Sequence, residues 1–213
     1  MNETVARLLN EQINKELYSA YLYLDMSKEM SSSYQASHRA AERIRAEFPE
    51  QTLYLRDTRC ISGGLGLLVS ECVERMEQGA SFDEVINWGE ENKLKIMHRF
   101  TVDDLHYLKR GGRVSAATAL LGTMLKIKPV LHVDNEGHLI NVSKARGRKA
   151  ALKALFEGVQ RDLVEPDGMH IIINHADCME DAEWLRDELR KAYPTLGKIE
   201  ILSLGIIIGA HCG

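Results

Sequence analysis

The chain has 213 residues, 45% hydrophobic and 27% charged, which are ordinary values for a globular protein and argue against disorder. A formal charge of -4 and a pI near 6.1 argue against nucleic acid as a partner, because phosphate binding needs a basic face. The opening MNETVARLLNEQ lacks the apolar core of a signal peptide, and no run of about eighteen apolar residues offers a membrane span.

Residues 4–27 read as one amphipathic helix, with Val5, Leu9, Ile13, Leu17, Tyr21 and Leu24 at helical spacing. Three serines, Ser31 to Ser33, suit a loop or a cap. Tyr34 to Phe48 reads as a second helix ended by Pro49. Thr52 to Asp57 is a short strand and Gly63 to Gln78 a helix stopped by Gly79. Ser81 caps the next helix, with Glu84 at capping-box spacing.

The second half begins near Met97, with a strand from Met97 to Val102. Ala116 to Leu125 reads as a helix. Lys128 to Asp134 and His138 to Ser143 form a hairpin across Asn135-Glu136-Gly137. Arg148 to Leu163 is a helix, Met169 to His175 a strand, Ala182 to Tyr193 a helix and Lys198 to Leu204 a strand. Ile201 to Ala210, the most apolar stretch, is too short for a bilayer and fits a buried strand. Strands alternating with helices, plus one hairpin, indicate an α/β or α+β fold.

Cys60, Cys72, Cys178 and Cys212 form no CxxC pair, so reduced thiols and a cytoplasmic location are expected. His132, His138, His170 and His175 lack metal-ligand spacing. Ser62-Gly63-Gly64-Leu65-Gly66 lacks the GK[ST] ending of a phosphate loop. No nucleophile and base share one motif, so an enzyme is not expected, and no cofactor is implied.

The densest local pattern runs from Phe100 to Leu139. Asp103 and Asp104 start a short helix, where carboxylates suit the dipole. Gly111 and Gly112 permit a tight turn flanked by Arg110 and Arg113. An arginine beside exposed amides can bind a carboxylate or phosphate, and on spacing alone a turn with solvated arginines fits as well.

The run YLKRGGRVSAATALLGTMLKIKPVLHVD resembles the signature of the DegV family. SSSYQAS from Ser31, DTRCISGGLGLLV from Asp57, ARGRKAALKAL from Ala145 and IIIGAHCG from Ile206 match it in the same order. The resemblance implies a two-domain fold, an α/β domain packed on one with a mostly antiparallel sheet. A long-chain fatty acid would lie between them, its tail in an apolar tunnel, with a fatty acid kinase as partner in some members. Carried over by position, the head-group residues are Ser31, Ser32, Ser33, Arg113 and His211. Gly209, Ala210 and Gly213 would let the ligand approach the backbone.

Residues 1–30 do not resemble that family. ARLLNEQINKELYSAYLYLDMS resembles the first helix of bacterial ferritins, whose iron-binding glutamate falls on Glu16, with Tyr23 beside it. No Glu-x-x-His motif follows, so iron chemistry is not expected. The family's opening strand, aspartate turn and serine/threonine segment are expected to be missing before Ser31, and its last strand after Gly213. The expectation is therefore a chimeric or truncated chain of bacterial origin. Residues 1–30 would be a helix, 31–96 an incomplete parallel α/β domain and 97–213 the second domain. The alternative is a structural chain that self-associates through the apolar stripe from Val5 to Leu24 and binds no lipid.

Overall fold

A computed structural model describes residues 21–113 and 127–212. The expected helix from Ala116 to Leu125, Glu16 with most of the opening stripe, and Gly213 lie outside the described residues.

The chain begins with β1 (Tyr21–Asp25), α1 (Ser33–Glu47) and β2 (Leu53–Asp57). α2 (Ser62–Glu77), α3 (Phe82–Asn92) and a short 3-10 turn (Lys93–Lys95) follow. β1 and β2 run parallel, in register from Tyr21 opposite Leu53 to Asp25 opposite Asp57. Leu22 and Leu24 turn toward Leu68 of α2 and Ile86 of α3, while the Asp25 carboxylate turns toward α1. Helices thus cover both faces, as a parallel pair requires. The space under β1 is a cavity of about 10 Å³, room for a single water.

The long helix expected over 4–27 is corrected here at its C-terminal end. YLYLD is a strand, because Leu22 and Leu24 alternate with a half-exposed Tyr23 and pair with β2. A strand therefore does precede Ser31. β1 ends in Asp25, which is followed by Ser27 and the three serines.

β3 (Arg99–Thr101), α4 (Leu105–Arg110), β4 (Ile127–Val133) and β5 (Leu139–Arg146) continue the chain. They build an antiparallel sheet in the order β3-β4-β5. The expected hairpin joins β4 to β5, and Asp134 Oδ1 accepts from the amides of Glu136 and His138. α5 (Arg148–Asp162) packs on this sheet through Leu152 and Leu155 against Val130. Arg99 on β3 pairs with Asp162 of α5 at 2.6 Å. β6 (Ile171–His175), α6 (Met179–Ala192) and β7 (Ile199–Ser203) then form a second parallel pair with its helix. The core between them is Ile173, Ala182, Leu185, Leu189 and Leu196.

The buried strand expected over Ile201 to Ala210 is corrected: only Ile201 to Ser203 lie in a strand, and none of the three is buried. β6 ends at His175, opposite Ser203, so β7 has no partner beyond that point. The chain turns at Gly205 into α7 (Ile206–Cys212), whose Ile206 and Ile207 are 90% and 74% exposed. Among the described residues no helix is long and apolar enough to cross a membrane. All four cysteines are free thiols.

A histidine that the sequence did not mark, His98, locks the start of α2. Its Nε2 accepts the Ile61 amide at 3.2 Å, and its carbonyl meets His132 Nδ1 at 2.7 Å. A Cβ on Gly64 would collide with the ring, so glycine is required there. Burial, and then the neighbouring His132, push the His98 pKa down to about 4. The unfolded chain, with an ordinary histidine near pH 6.5, therefore binds this proton more readily than the fold does. Stability from this site is complete above about pH 6.5 and drains away as the pH falls toward 4, by roughly 3 kcal/mol at most. Urea unfolding between pH 7 and 4.5 should show a shallower loss in His98→Gln than in the wild type. Identical pH slopes would contradict the assignment.

Candidate functional site

Ligands of open parallel sheets gather beyond the carboxyl ends of the strands, and β1 ends there in Asp25. Asp25 is 3% exposed. Its Oδ1 accepts from the Met26 amide at 2.8 Å and the Ser33 hydroxyl at 2.6 Å, and its Oδ2 from the Ser37 hydroxyl at 2.7 Å. A buried carboxylate demands such partners. The intervening loop is tight. The amides of Met30 and Ser31 both donate to the Ser27 carbonyl, at 2.9 and 3.1 Å. Ser31 Oγ lies 2.9 Å from Ser33 Oγ and accepts the Ser33 amide at 3.1 Å. Ser32 is exposed and its side chain makes no capping bond.

The expected glycine turn lies beside this loop. Asp104 caps α4 by accepting the His106 amide, and the helix ends at Gly111 and Gly112, the latter at φ +72. Arg113 Nε donates to the Met30 carbonyl at 3.3 Å, and its Nη1 donates to the Gly111 carbonyl. Two of the five donors of this exposed guanidinium thus hold it against the loop. His211, near the end of α7, fills the space over Gly111, where an added Cβ would come within 2.5 Å of its Nδ1. Below them, Met30, Leu105, Leu108 and Cys212 share one apolar cluster with Val102 and Leu131. Ser31, Arg113 and His211 come from three separate stretches of chain, and Met30 and Cys212, the neighbours of Ser31 and His211, belong to that cluster.

Apolar surface adjoins the polar group. Ile207 and Ile208 precede His211 by four and three residues, so the three share a face of α7. Ile207 is exposed at 74% and Ile208 at 39%.

Elsewhere, a serine lies beside a histidine. His175 is buried, its Nδ1 accepts the Cys178 amide at 3.3 Å, and its Nε2 lies 3.2 Å from Ser203 Oγ. The acceptor role at Nδ1 places the ring proton on Nε2. In that tautomer the ring donates to Ser203 and cannot take its proton. No group of three or more metal-ligating side chains lies together among the described residues.

Sequence reasoning missed Asp25 because YLYLD was read as helix. Its signal was an acidic residue closing an alternating run, eight residues before Ser33.

The sequence model of the DegV family, described as uncharacterised proteins, matches residues 2–213. The match begins ahead of Ser31, where the motifs placed its start. A DegV domain-containing protein of Clostridium perfringens is 44% identical over 192 residues, covering 90% of this chain and 66% of that protein. A fatty acid-binding protein of Thermotoga maritima is 33% identical over 201 residues, covering 93% and 67%. The crystal structure of a fatty acid binding DegV family protein from Streptococcus agalactiae superposes with a TM-score of 0.82. It is 33% identical, covering 98% of this chain and 72% of that one. The chain thus spans about two thirds of the length of the relatives it matches.

The contact between Gly111 and His211 can be tested alone. Gly111→Ala should push the imidazole off the turn, shift the His211 ring resonances in NMR spectra and cost about 1–3 kcal/mol of stability by overpacking. Unmoved resonances with an unchanged melting temperature would contradict the contact.

Proposed function

The chain belongs to the DegV family, and we propose that it holds a long-chain fatty acid with the carboxylate at the turn shared by Ser31–Ser33, Arg113 and His211. The observation that carries this reading is the junction itself. Arg113 is bound to the Met30 carbonyl next to Ser31, and Gly111 gives its space to His211. A guanidinium, hydroxyls and an imidazole together are suited to a carboxylate. The tail would follow the His211 face of α7 over Ile208 and Ile207. Each methylene covered there contributes about 0.8 kcal/mol. Two relatives named as fatty acid-binding support the same ligand.

The division of the chain near Met97 belongs to this proposal. Ser31–Ser33 precede it and Arg113 and His211 follow it, so the head group would be held from both sides. Presentation of the bound acid to a fatty acid kinase, which the family resemblance implies, is part of the same reading.

Native mass spectrometry followed by denaturing extraction is the test. The purified protein, or protein incubated with a fatty acid, should retain one acyl chain. Arg113→Ala and His211→Ala should each weaken binding about tenfold, the worth of one charge-assisted hydrogen bond. A chain that stays empty, or two variants that bind as the wild type does, would overturn the reading.

A further inference from the structure

The serine turn is wired in one direction, and Asp25 sets it. An ionised carboxylate accepts hydrogen bonds and donates none. At 2.6 Å from Asp25 Oδ1, the Ser33 hydroxyl must therefore spend its single proton on Asp25. Toward Ser31 it can only accept, so the 2.9 Å contact between the two hydroxyls runs from Ser31 to Ser33. Ser37 is committed likewise, 2.7 Å from Asp25 Oδ2 and 2.9 Å from the Ser33 carbonyl.

These bonds are unequal. Turning the Ser33 proton to a ligand would strip a donor from a carboxylate that is 3% exposed. Turning the Ser31 proton gives up one bond between neutral, part-buried hydroxyls. Charge-assisted bonds are about twice as strong as neutral ones, and a buried acceptor left short is costlier still.

We propose that Asp25 is a positioning residue of the head-group site, acting through Ser33 so that Ser31 is the hydroxyl that donates to the ligand. The inference rests on the fatty-acid reading above and names which donor serves it. Ser33, its proton held by Asp25, offers a ligand only a lone pair. That lone pair suits a head group with a proton to give, such as an alcohol, and opposes an anion.

The experiment compares decanoate with 1-decanol as probes, on the wild type and on two variants. Ser31→Ala removes the donor to an anion but uncovers the Ser33 lone pair, to which an alcohol can donate. It should weaken decanoate about tenfold more than decanol. Adding Asp25→Ala to Ser31→Ala removes the acceptor altogether and releases the Ser33 proton, so decanoate affinity should return to within about threefold of the wild type. Equal losses for both probes in Ser31→Ala would overturn the assignment, and so would a well-folded double variant that recovers nothing. The probe comparison needs only the single variant, so it decides the matter even where the double variant does not fold. A wild type that takes up neither probe would defeat the fatty-acid reading itself. A wild type that binds both, with Ser31→Ala losing both alike, would defeat only the role of Asp25.

Discussion

A carboxylate 3% exposed to water persists at the end of a strand only if its lone pairs are met, and much of the local architecture around Asp25 meets them. The first turns of α1 carry serines at 33 and 37, which lie on one helical face and reach the two carboxylate oxygens. The main chain of Asp25 is held as well, with its carbonyl accepting the Thr58 hydroxyl at 2.7 Å and the Thr58 amide at 3.2 Å. Thr58, itself fully buried, ends the β2 side of the parallel pair. One residue thus connects β1, the loop after β2 and the start of α1, and an apolar residue in its place would leave several polar groups unpaired.

The same loop joins the two halves of the chain. Ser27 is fully buried, its amide donates to the Cys60 carbonyl at 3.0 Å, and its hydroxyl donates to the Gly137 carbonyl at 3.0 Å, in the hairpin turn. Arg59 adds a bond to the Asn135 carbonyl. Arg59 takes a left-handed φ of 56 to do so, with its amide held by Asp57 Oδ1 at 2.9 Å. Strain of that kind costs on the order of 1 kcal/mol or more and survives only where neighbours over-determine it. The hairpin turn is therefore a structural clamp between the two halves.

Most elements were legible because each carried a local signal. Ser81 and Glu84 form the reciprocal capping box that their spacing suggested. Asp134 to Gly137 close the hairpin, with the glycine at φ +93. The two misread segments share a cause. In YLYLD, Tyr21 and Leu24 fall at helical spacing and extend an upstream stripe, while the competing alternation spans only five residues. Its strand form depends on pairing with β2, some thirty residues away, which no local pattern contains. Likewise Ile201 to Ala210 is apolar apart from Ser203, and the strand stops there because β6 supplies no partner beyond His175. Of the site residues, Ser31–Ser33, Arg113 and His211 came from ordered motifs, and their chain neighbours Met30 and Cys212 meet in one apolar cluster. Asp25 carried only the weak signal of an acidic residue closing a five-residue alternation, because its role depends on burial beneath α1, which the tertiary arrangement creates.

The charges at the proposed site divide affinity from selectivity. Arg113 is exposed, so its attraction for a carboxylate is screened and modest. Asp25 lies two hydrogen bonds from Ser31 and opposes the same anion at short range, with far less solvent between. The net pull on a bare carboxylate is accordingly small, and a short acid has little reason to stay. A long acyl chain adds a favourable term for every methylene it lays along α7, and that term does not depend on the head group. On the proposed reading, binding strength would scale with chain length, while the polar junction would decide which end points inward and how the ligand's terminal atoms are presented. An arrangement of that kind suits a carrier. It holds a hydrophobic cargo by area and leaves the head group lightly held, accessible to whatever next acts on it.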